Sequence, residues 1–119
     1  MIKMICLLRR KEGMTPEEFH RYWREHHGPL VQSTRSGGWV RRYQQNHRPL
    51  ASYRADDDRR GWDGVTEQWF DSVDDFTASL QEDDFHLIDE DTRRFLDVDA
   101  LQFVLTEEAE EVPPWTGST

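Results

Sequence analysis

The sequence predicts a single α+β domain of the ferredoxin-like order βαββαβ, an antiparallel sheet with its helices on one face. The chain has 119 residues, the usual size of one domain. Four short segments with strand-like patterns and two regions of helical periodicity follow one another in that order. The first apolar segment is apolar on both sides, so the sheet face without helices also needs a cover. A second copy of the chain would supply that cover, and we expect a homodimer.

The first half of the chain contains one strand and one long helical segment. Residues 1–10 place apolar side chains on both faces, which is typical of a central strand. A helix begins after Thr15, because Thr15 can cap it, a proline follows, and Glu18 completes a capping box. Gly28-Pro29 is expected to interrupt or kink this helix. Its buried stripe is predicted to consist of Phe19, Trp23, His26 and Leu30, with Tyr22 and His27 at its sides.

The middle of the chain supplies a second strand and a long connection. Residues 39–47 alternate as a strand after a pair of helix-breaking glycines. Residues 48–63 carry many charges and few apolar side chains, which predicts an exposed loop that is the most mobile internal segment. If this loop borders a pocket, Tyr53 and Trp62 are its expected gating residues. One face of the strand is predicted to present Trp39, Arg41, Tyr43, Gln45 and His47.

The remaining elements complete the domain. We expect residues 1–106 to form it and residues 107–119 to form an acidic C-terminal arm, extended and able to cross to a partner subunit. The other predicted elements are a strand over 64–70, a helix over 72–81, a helical segment over 85–95 and a last strand over 100–106.

Charge and composition exclude several classes of partner. The net charge of −9 argues against nucleic acid, which needs a basic surface, and against an anionic membrane surface. The apolar segment at the N-terminus is too short for a signal peptide. The lone Cys6 lies in that segment and is expected to be a core residue. We therefore expect a cytoplasmic protein. Five tryptophans in so short a chain favour an aromatic-lined pocket.

Several segments resemble the EthD family. They are MICLLRRK at 4–11, GMTPEEF at 13–19, YWREHHGPLV at 22–31, RYQQNH at 42–47 and DGVTEQWFDS at 63–72. The likeness covers roughly residues 3–106. It implies a dimeric α/β-barrel whose wider relatives include muconolactone isomerases, polyketide cyclases and small cofactor-free monooxygenases. The resemblance implies the fold more firmly than the chemistry, because one fold hosts many functions.

Four residues are candidates for catalysis. His27 matches the family's histidine before the proline, and it could act as a general acid or base at a pocket mouth. Its other interpretation is a helix-end residue that stabilises the helix dipole, and His26 could be the active histidine instead. Tyr43 and His47 lie two steps apart on one strand face, so both could reach one ligand. Glu67 could be an acid or base of raised pKa, or the partner of a strand arginine.

The other candidates would bind the substrate. They are Trp23, His26, Trp39, Trp69 and His86, as aromatic walls or as a cap over the pocket. No metal site is expected, because no histidine pair has the helical spacing of zinc ligands with a third ligand nearby. No glycine-rich phosphate loop follows a strand, and we expect no cofactor.

The expected function is therefore enzymatic. The substrate would be an apolar or aromatic oxygenated small molecule from a degradation or polyketide-type pathway. The chemistry would be cofactor-free acid/base catalysis, such as isomerisation, cyclisation or dehydration. The alternatives are a cofactor-free monooxygenase, a protein that only binds a metabolite, and a stress-related dimer whose pocket is merely core.

Overall fold

The structure is a computed structural model, which describes residues 1–109 and 115–117. The four strands lie in the order β2-β3-β1-β4, and each neighbouring pair is antiparallel. This arrangement confirms the predicted ferredoxin-like α+β fold. The strands are β1 (Ile2–Leu8), β2 (Arg42–His47), β3 (Gly64–Phe70) and β4 (Gln102–Glu107). The helices are α1 (Pro16–Tyr22), α2 (Gly28–Ser33), α3 (Val73–Gln81) and α4 (Phe85–Phe95).

The predicted C-terminal arm lies largely outside the described residues. Of the predicted arm, residues 110–114 and 118–119 are outside the described residues. Its first residue, Glu107, is the last residue of β4. No helix among the described residues combines the length and the apolar character that a membrane span requires.

The start of α1 forms as its sequence predicts. The Thr15 hydroxyl accepts a hydrogen bond from the backbone N–H of Glu18 at 3.1 Å. The Glu18 carboxylate in turn accepts from the backbone N–H of Thr15 at 3.3 Å, so the capping box is complete.

The helix does not end at Gly28-Pro29. It passes from α1 through a π-helical turn, Trp23–His27, directly into α2. Proline has no N–H to donate, so one helical hydrogen bond is lost at this point, and the wider turn accommodates that loss. The predicted interruption is therefore a π turn inside a continuous helical segment.

The π turn changes which side chains the helix buries. Spacings of four residues remain on one face, so the buried stripe is Phe19, Trp23, His27 and Val31. The prediction that His26 and Leu30 continue the stripe was wrong, because it assumed α-helical geometry throughout. The His26 side chain is 52% exposed.

The strand register decides which side chains face the helices. Cys6 of β1 belongs to the core, and it pairs with Thr66, which pairs with Gln45. The helix-facing side of β2 therefore carries Tyr43, Gln45 and His47. Glu67 pairs with Ile5 and Gln44, so it lies on the opposite face, which we call the outer face.

The second strand is shorter than the sequence predicts. It begins at Arg42, and Gly37–Trp39 forms a 3-10 turn instead of a strand. The paired glycines allow this turn: a Cβ on Gly37 would lie 1.8 Å from the carbonyl oxygen of Val31. Trp39 is consequently not part of a strand face.

The loop at residues 48–63 is not simply exposed. Its Asp58 is 8% exposed and its Asp63 only 2%. Arg48 and Arg60 both pair with Asp58, at 3.3 and 2.9 Å. Most of the other residues in this loop are exposed, as the sequence predicts, so burial is confined to a few paired side chains. The mobility of the loop stays a prediction.

Candidate functional site

A cavity of about 250 Å³ lies between the helices and the helix-facing side of the sheet. Most of its lining is apolar, from the sheet centre, the α3–α4 region and the π turn. Two groups in this lining can carry acid/base chemistry: the imidazole of His27 and the hydroxyl of Tyr43. An apolar cavity with a few convergent polar groups is the usual form of a small-molecule site.

His27 is held by a buried carboxylate. Its Nδ1 lies 2.8 Å from Oδ2 of Asp91 on α4, and its ring contacts Phe95 with 4.7 Å between ring centroids. Since a carboxylate accepts hydrogen bonds, Nδ1 carries the hydrogen and the pair fixes the tautomer of the ring. Burial lowers the pKa of His27 below its usual range, although the charge of Asp91 opposes that shift. The imidazole is therefore neutral near pH 7.

The other ring nitrogen of His27, Nε2, is the one that Asp91 does not hold. Within residues 1–109 and 115–117, Nε2 of His27 has no hydrogen-bond partner. His27 lines the cavity, so the lone pair of Nε2 is available to a bound molecule. A neutral imidazole with a free Nε2 can accept a proton, as a general base does.

Asp91 is itself fully satisfied inside the protein. It is 1% exposed, and it accepts a hydrogen bond from the Tyr22 hydroxyl as well as from His27. His26 also approaches its Oδ1, at 3.3 Å. Burial would raise the pKa of Asp91, but the hydrogen bonds from Tyr22 and His27 outweigh burial and lower the pKa. Asp91 therefore remains a carboxylate that orients His27.

Tyr43 presents a hydroxyl hydrogen to the cavity. Its oxygen accepts from Nε2 of Gln45 at 3.0 Å and from Nε1 of Trp23 at 3.3 Å. Among the described residues the hydroxyl has no acceptor for its own hydrogen. Burial raises the pKa of Tyr43, while the bonds from Gln45 and Trp23 oppose the rise. The phenol thus stays protonated and can donate to a ligand oxygen.

The structure brings only part of the predicted constellation together. His27, Tyr43 and Trp23 line one cavity, whereas His47 lies behind Tyr43, packed on the Trp23 ring at 4.2 Å between centroids. Glu67 lies on the outer face, where its carboxylate pairs with Lys3 at 3.1 Å. The predicted single cavity with Glu67 as a member was wrong because of strand register.

Trp69 shares the outer face with Glu67. Its Nε1 donates to Glu108 at 2.7 Å, and the Arg42 guanidinium lies 4.5 Å from its ring. The prediction of Trp69 as a cavity wall was therefore also wrong, because side chains at alternate strand positions point to the same side.

Three further predicted residues lie away from the cavity. The His26 ring stacks on Tyr22 at the surface, with 4.6 Å between centroids. Nε1 of Trp39 donates to Glu82 at 3.4 Å. His86 is exposed, and its Nδ1 contacts the backbone carbonyl of Asp83 within its own turn. None of the three lines the cavity, so their prediction as ligand-binding residues is not supported.

Sequence reasoning missed Asp91. The residue falls on the apolar face of α4, three positions after Ile88 and four before Phe95. A carboxylate on a buried helix face needs a hydrogen-bonding partner, and this could have drawn attention to it. Which residue would be that partner depended on how α4 packs against the π turn.

Cys6 also lines the cavity, although it is not a reactive group. It is 8% exposed, and burial raises the pKa of its thiol to about 11. The thiolate, which is the nucleophilic form, is therefore negligible at neutral pH. Among the described residues, no three His, Cys, Asp or Glu side chains are grouped to hold a metal ion.

Comparison with known proteins finds one matching family model and several structures with a similar fold. The EthD domain model matches residues 11–99, and no curated protein matches the chain. An EthD family protein from Bacillus halodurans superposes with a TM-score of 0.68 at 16% identity, covering 92% of this chain and 99% of its own. A protein from Bacteroides fragilis, described as dimeric, of unknown function and ferredoxin-like, gives 0.63 at 12% identity, covering 90% and 95%.

One similar structure has a described activity. A variant of SnoaB from Streptomyces nogalater, a cofactor-independent oxygenase, gives a TM-score of 0.61 at 12% identity, covering 94% of this chain and 96% of its own. At these identities the structural likenesses support the fold alone. The family model, in contrast, matches well over half of the sequence, and the chain therefore belongs to the EthD domain family.

Proposed function

We propose that this protein is an enzyme that moves a proton on a small oxygenated substrate, without a cofactor. The observation that carries this proposal is the cavity with a neutral, carboxylate-oriented imidazole and a phenol whose hydrogen is free. The apolar lining suits a ketone or phenol with an apolar or aromatic body.

The proposed reaction begins at the carbon beside a carbonyl group. Nε2 of His27 takes a proton from that carbon, and the electron pair of the broken C–H bond becomes the enolate π system. Negative charge develops on the carbonyl oxygen, which accepts a hydrogen bond from the Tyr43 hydroxyl. Asp91 stabilises the imidazolium that forms, because its carboxylate accepts from Nδ1. Return of the proton to another atom of the substrate completes an isomerisation. In a dehydration the enolate electron pair instead breaks the C–O bond at the next carbon, and the proton on His27 goes to the leaving oxygen, which departs as water.

We also propose that the protein works as a homodimer through its outer face. Apolar side chains of three strands lie there without a covering element in the described chain: Ile5 and Leu7 of β1, Val65 of β3 and Val104 of β4. The dimeric description of the Bacteroides fragilis neighbour supports this proposal.

The test is deuterium exchange into 2-tetralone, a bicyclic ketone with acidic hydrogens beside its carbonyl. The protein is incubated with the ketone in D₂O, and the loss of those signals is followed by proton NMR. We expect exchange faster than the buffer rate, and a decrease of about 10²-fold or more in the protein-catalysed rate for His27→Gln. His86→Gln is the matched control, because His86 is exposed and does not line the cavity.

Other outcomes separate the alternatives. If 2-tetralone quenches tryptophan fluorescence saturably but exchanges no faster than in buffer, the protein binds without catalysis. A cofactor-free oxygenase would begin with the same deprotonation, and oxygen consumption with the ketone would reveal it. Exchange that is equally fast in His27→Gln would contradict the proposed base.

A further inference from the structure

A second polar network lies behind Tyr43, outside the cavity. Its contacts form one line: Nε2 of His47 to Oε1 of Gln45 at 2.7 Å, and Nδ1 of His47 to Nδ1 of His20 at 2.7 Å. Nε2 of His20 then lies 3.0 Å from the Tyr53 hydroxyl, which donates to Oδ1 of Asp63 at 2.5 Å. His20 and Asp63 are buried, at 3% and 2% exposed, and the other members of the line are half-buried.

Both ends of the line can only accept hydrogen bonds. The amide of Gln45 is fixed because its Nε2 donates to the carbonyl of Trp23 at 2.9 Å, so Oε1 faces His47. Asp63 pairs with the buried guanidinium of Arg10 at 2.9 Å and also accepts from the backbone N–H of Arg10 at 2.8 Å. Asp63 therefore acts as the acceptor at this end of the line.

Counting hydrogens shows that the line is one proton short when both histidines are neutral. Each of its four contacts needs one hydrogen. Neutral His20, neutral His47 and Tyr53 supply one each, which makes three. With only three hydrogens, two lone pairs face each other at one of the four contacts, and that contact must lengthen. All four contacts close when the two imidazoles together carry one additional proton.

We propose that His20 and His47 bind one proton jointly, and that this proton, through Gln45, sets how strongly Tyr43 donates to a ligand oxygen. The ligand part of this inference rests on the proposed function. His20, His47 and Gln45 are positioning residues, because none of them lines the cavity.

Polarisation carries the effect to Tyr43. An imidazolium at His47 donates a charge-assisted hydrogen bond to Oε1 of Gln45, stronger than any bond a neutral ring can form. This polarises the amide, and its Nε2–H then donates more strongly to the Tyr43 oxygen, at 3.0 Å. Greater positive polarisation at that oxygen makes the free hydrogen of Tyr43 a better donor.

The surroundings of the pair place proton uptake in the acidic range. Burial, the neighbouring imidazole of His47 and two arginines lower the pKa of His20 to about 4, and the Asp63 carboxylate opposes them. Burial and Arg24 likewise lower the pKa of His47. The pair is therefore neutral near pH 7 and accepts its proton as the pH falls. The titratable and charged groups that surround it are Arg10, Arg24, Tyr53 and Asp63.

The first test is nitrogen NMR of the unliganded protein with ¹⁵N-labelled histidine, titrated from pH 8 into acid. We expect the signals of His20 and His47 to move with one common midpoint and to account for one proton between them. Two independent midpoints, each with a full proton, would overturn the inference. So would two rings that stay neutral until the protein unfolds.

Tyr53→Phe changes the hydrogen count and sharpens this test. Without the Tyr53 hydroxyl the line has two contacts, from Gln45 to His47 and from His47 to His20, which two neutral histidines satisfy. We therefore expect the common midpoint to fall by about one pH unit. An unchanged midpoint in folded Tyr53→Phe would overturn the inference, and His86→Gln serves as the control that leaves the midpoint unchanged.

The coupling to Tyr43 has its own measurement. The ring-carbon signal next to the Tyr43 hydroxyl, seen with ¹³C-labelled tyrosine, should shift with the same midpoint as the histidines. His47→Gln can still donate to Gln45 but cannot hold the proton, so the shift should disappear there. A Tyr43 signal that ignores the histidine midpoint would overturn the coupling. These measurements use no substrate, so they can fail or succeed independently of the exchange assay.

Discussion

The pKa of His27 depends on two opposing effects. Burial disfavours the imidazolium, and the Asp91 carboxylate at 2.8 Å favours it. Because the pKa of His27 lies below its usual range, burial is the stronger effect. This balance keeps the imidazole of His27 neutral at pH values where an exposed histidine would already be protonated, as the proposed base requires.

The pH dependence of exchange tests that balance. The rate with 2-tetralone should fall in acid as His27 becomes protonated, with a midpoint below about 6.5, the ordinary histidine value. In Asp91→Asn the carboxylate no longer favours the imidazolium, so the midpoint should move lower still. The measurement is the rate between pH 4 and 8. A midpoint above 6.5, or one that rises in Asp91→Asn, would contradict this assignment.

Asp91 should also matter for stability. It is 1% exposed and accepts from Tyr22 and His27, so Asp91→Asn is expected to cost about 1–3 kcal/mol in the free energy of unfolding at pH 7. Asp89→Asn is the control: the pair of Asp89 with Arg93 is half-exposed, so this substitution should change stability by less than about 0.5 kcal/mol.

Acid should remove the difference between wild type and Asp91→Asn. The pKa of Asp91 is lower in the folded state than in the unfolded state, so its contribution is present above the unfolded value. That contribution is lost as the pH falls through the lowered folded value. Urea unfolding at several pH values measures this, and a constant difference down to the acid limit of folding would count against it.

At the scale of elements, the π turn organises the site. It places His27 on the buried face, and its carbonyl at Trp23 accepts from both Gly28 N–H and Gln45 Nε2. Gln45 thereby joins the turn to β2, and the same amide nitrogen donates to the Tyr43 hydroxyl. One local irregularity thus positions both groups of the cavity, which agrees with the frequent occurrence of π turns at functional sites.

Gly28 permits this close approach between the turn and the strand. A Cβ there would lie 2.8 Å from Nε2 of Gln45 and 3.7 Å from the Tyr43 ring. Gly28→Ala has two opposing effects on the free energy of unfolding: the lost hydrogen bonds lower it, and the better helix propensity of alanine raises it. Because the two differ by only about 1 kcal/mol, stability should change little. We expect instead a several-fold weaker affinity for 2-tetralone, because Gln45 must move and its hydrogen bond to the Tyr43 oxygen is disturbed.

Gly38→Ala is the matched control for this prediction. A Cβ on Gly38 meets no atom within 4 Å, so neither affinity nor stability should change appreciably. Fluorescence titration and thermal unfolding compare the two variants with the wild type. Equal affinities in all three proteins would show that Gly28 is not required for the arrangement of the site.

At the scale of the whole molecule, the outer face of the sheet is a surface that residues 1–109 and 115–117 leave uncovered. Val104 of β4 lies there and is 52% exposed, opposite Ile5 in the register. If two copies pair through this face, Val104→Asp buries an unpaired charge in the interface. We expect it to shift the protein from dimer to monomer in analytical ultracentrifugation.

Val73→Asp separates an interface effect from a general effect of the charge. Val73 is similarly exposed, at 50%, but it begins α3 on the helical side. We expect this variant to remain dimeric. A wild-type chain that sediments as a monomer at micromolar concentration would contradict the dimer, whose interface should bury more than about 1,000 Å².

Features that depend on neighbours along the chain were predictable without the structure. The capping box at Thr15, the alternation in the strands and the order of the elements follow from local sterics and periodicity. They were sufficient for the ferredoxin-like fold and for the resemblance to the EthD family. The same reasoning placed His27 and Tyr43 among the candidates.

Which of those candidates lie in one cavity depended on the tertiary structure. Register separates Glu67 from Tyr43, because a shift of one strand position moves a side chain to the opposite face. The π turn selects His27 over His26, and the packing of α4 supplies Asp91. These outcomes depend on contacts between residues far apart in sequence, and neither composition nor local periodicity contains that information.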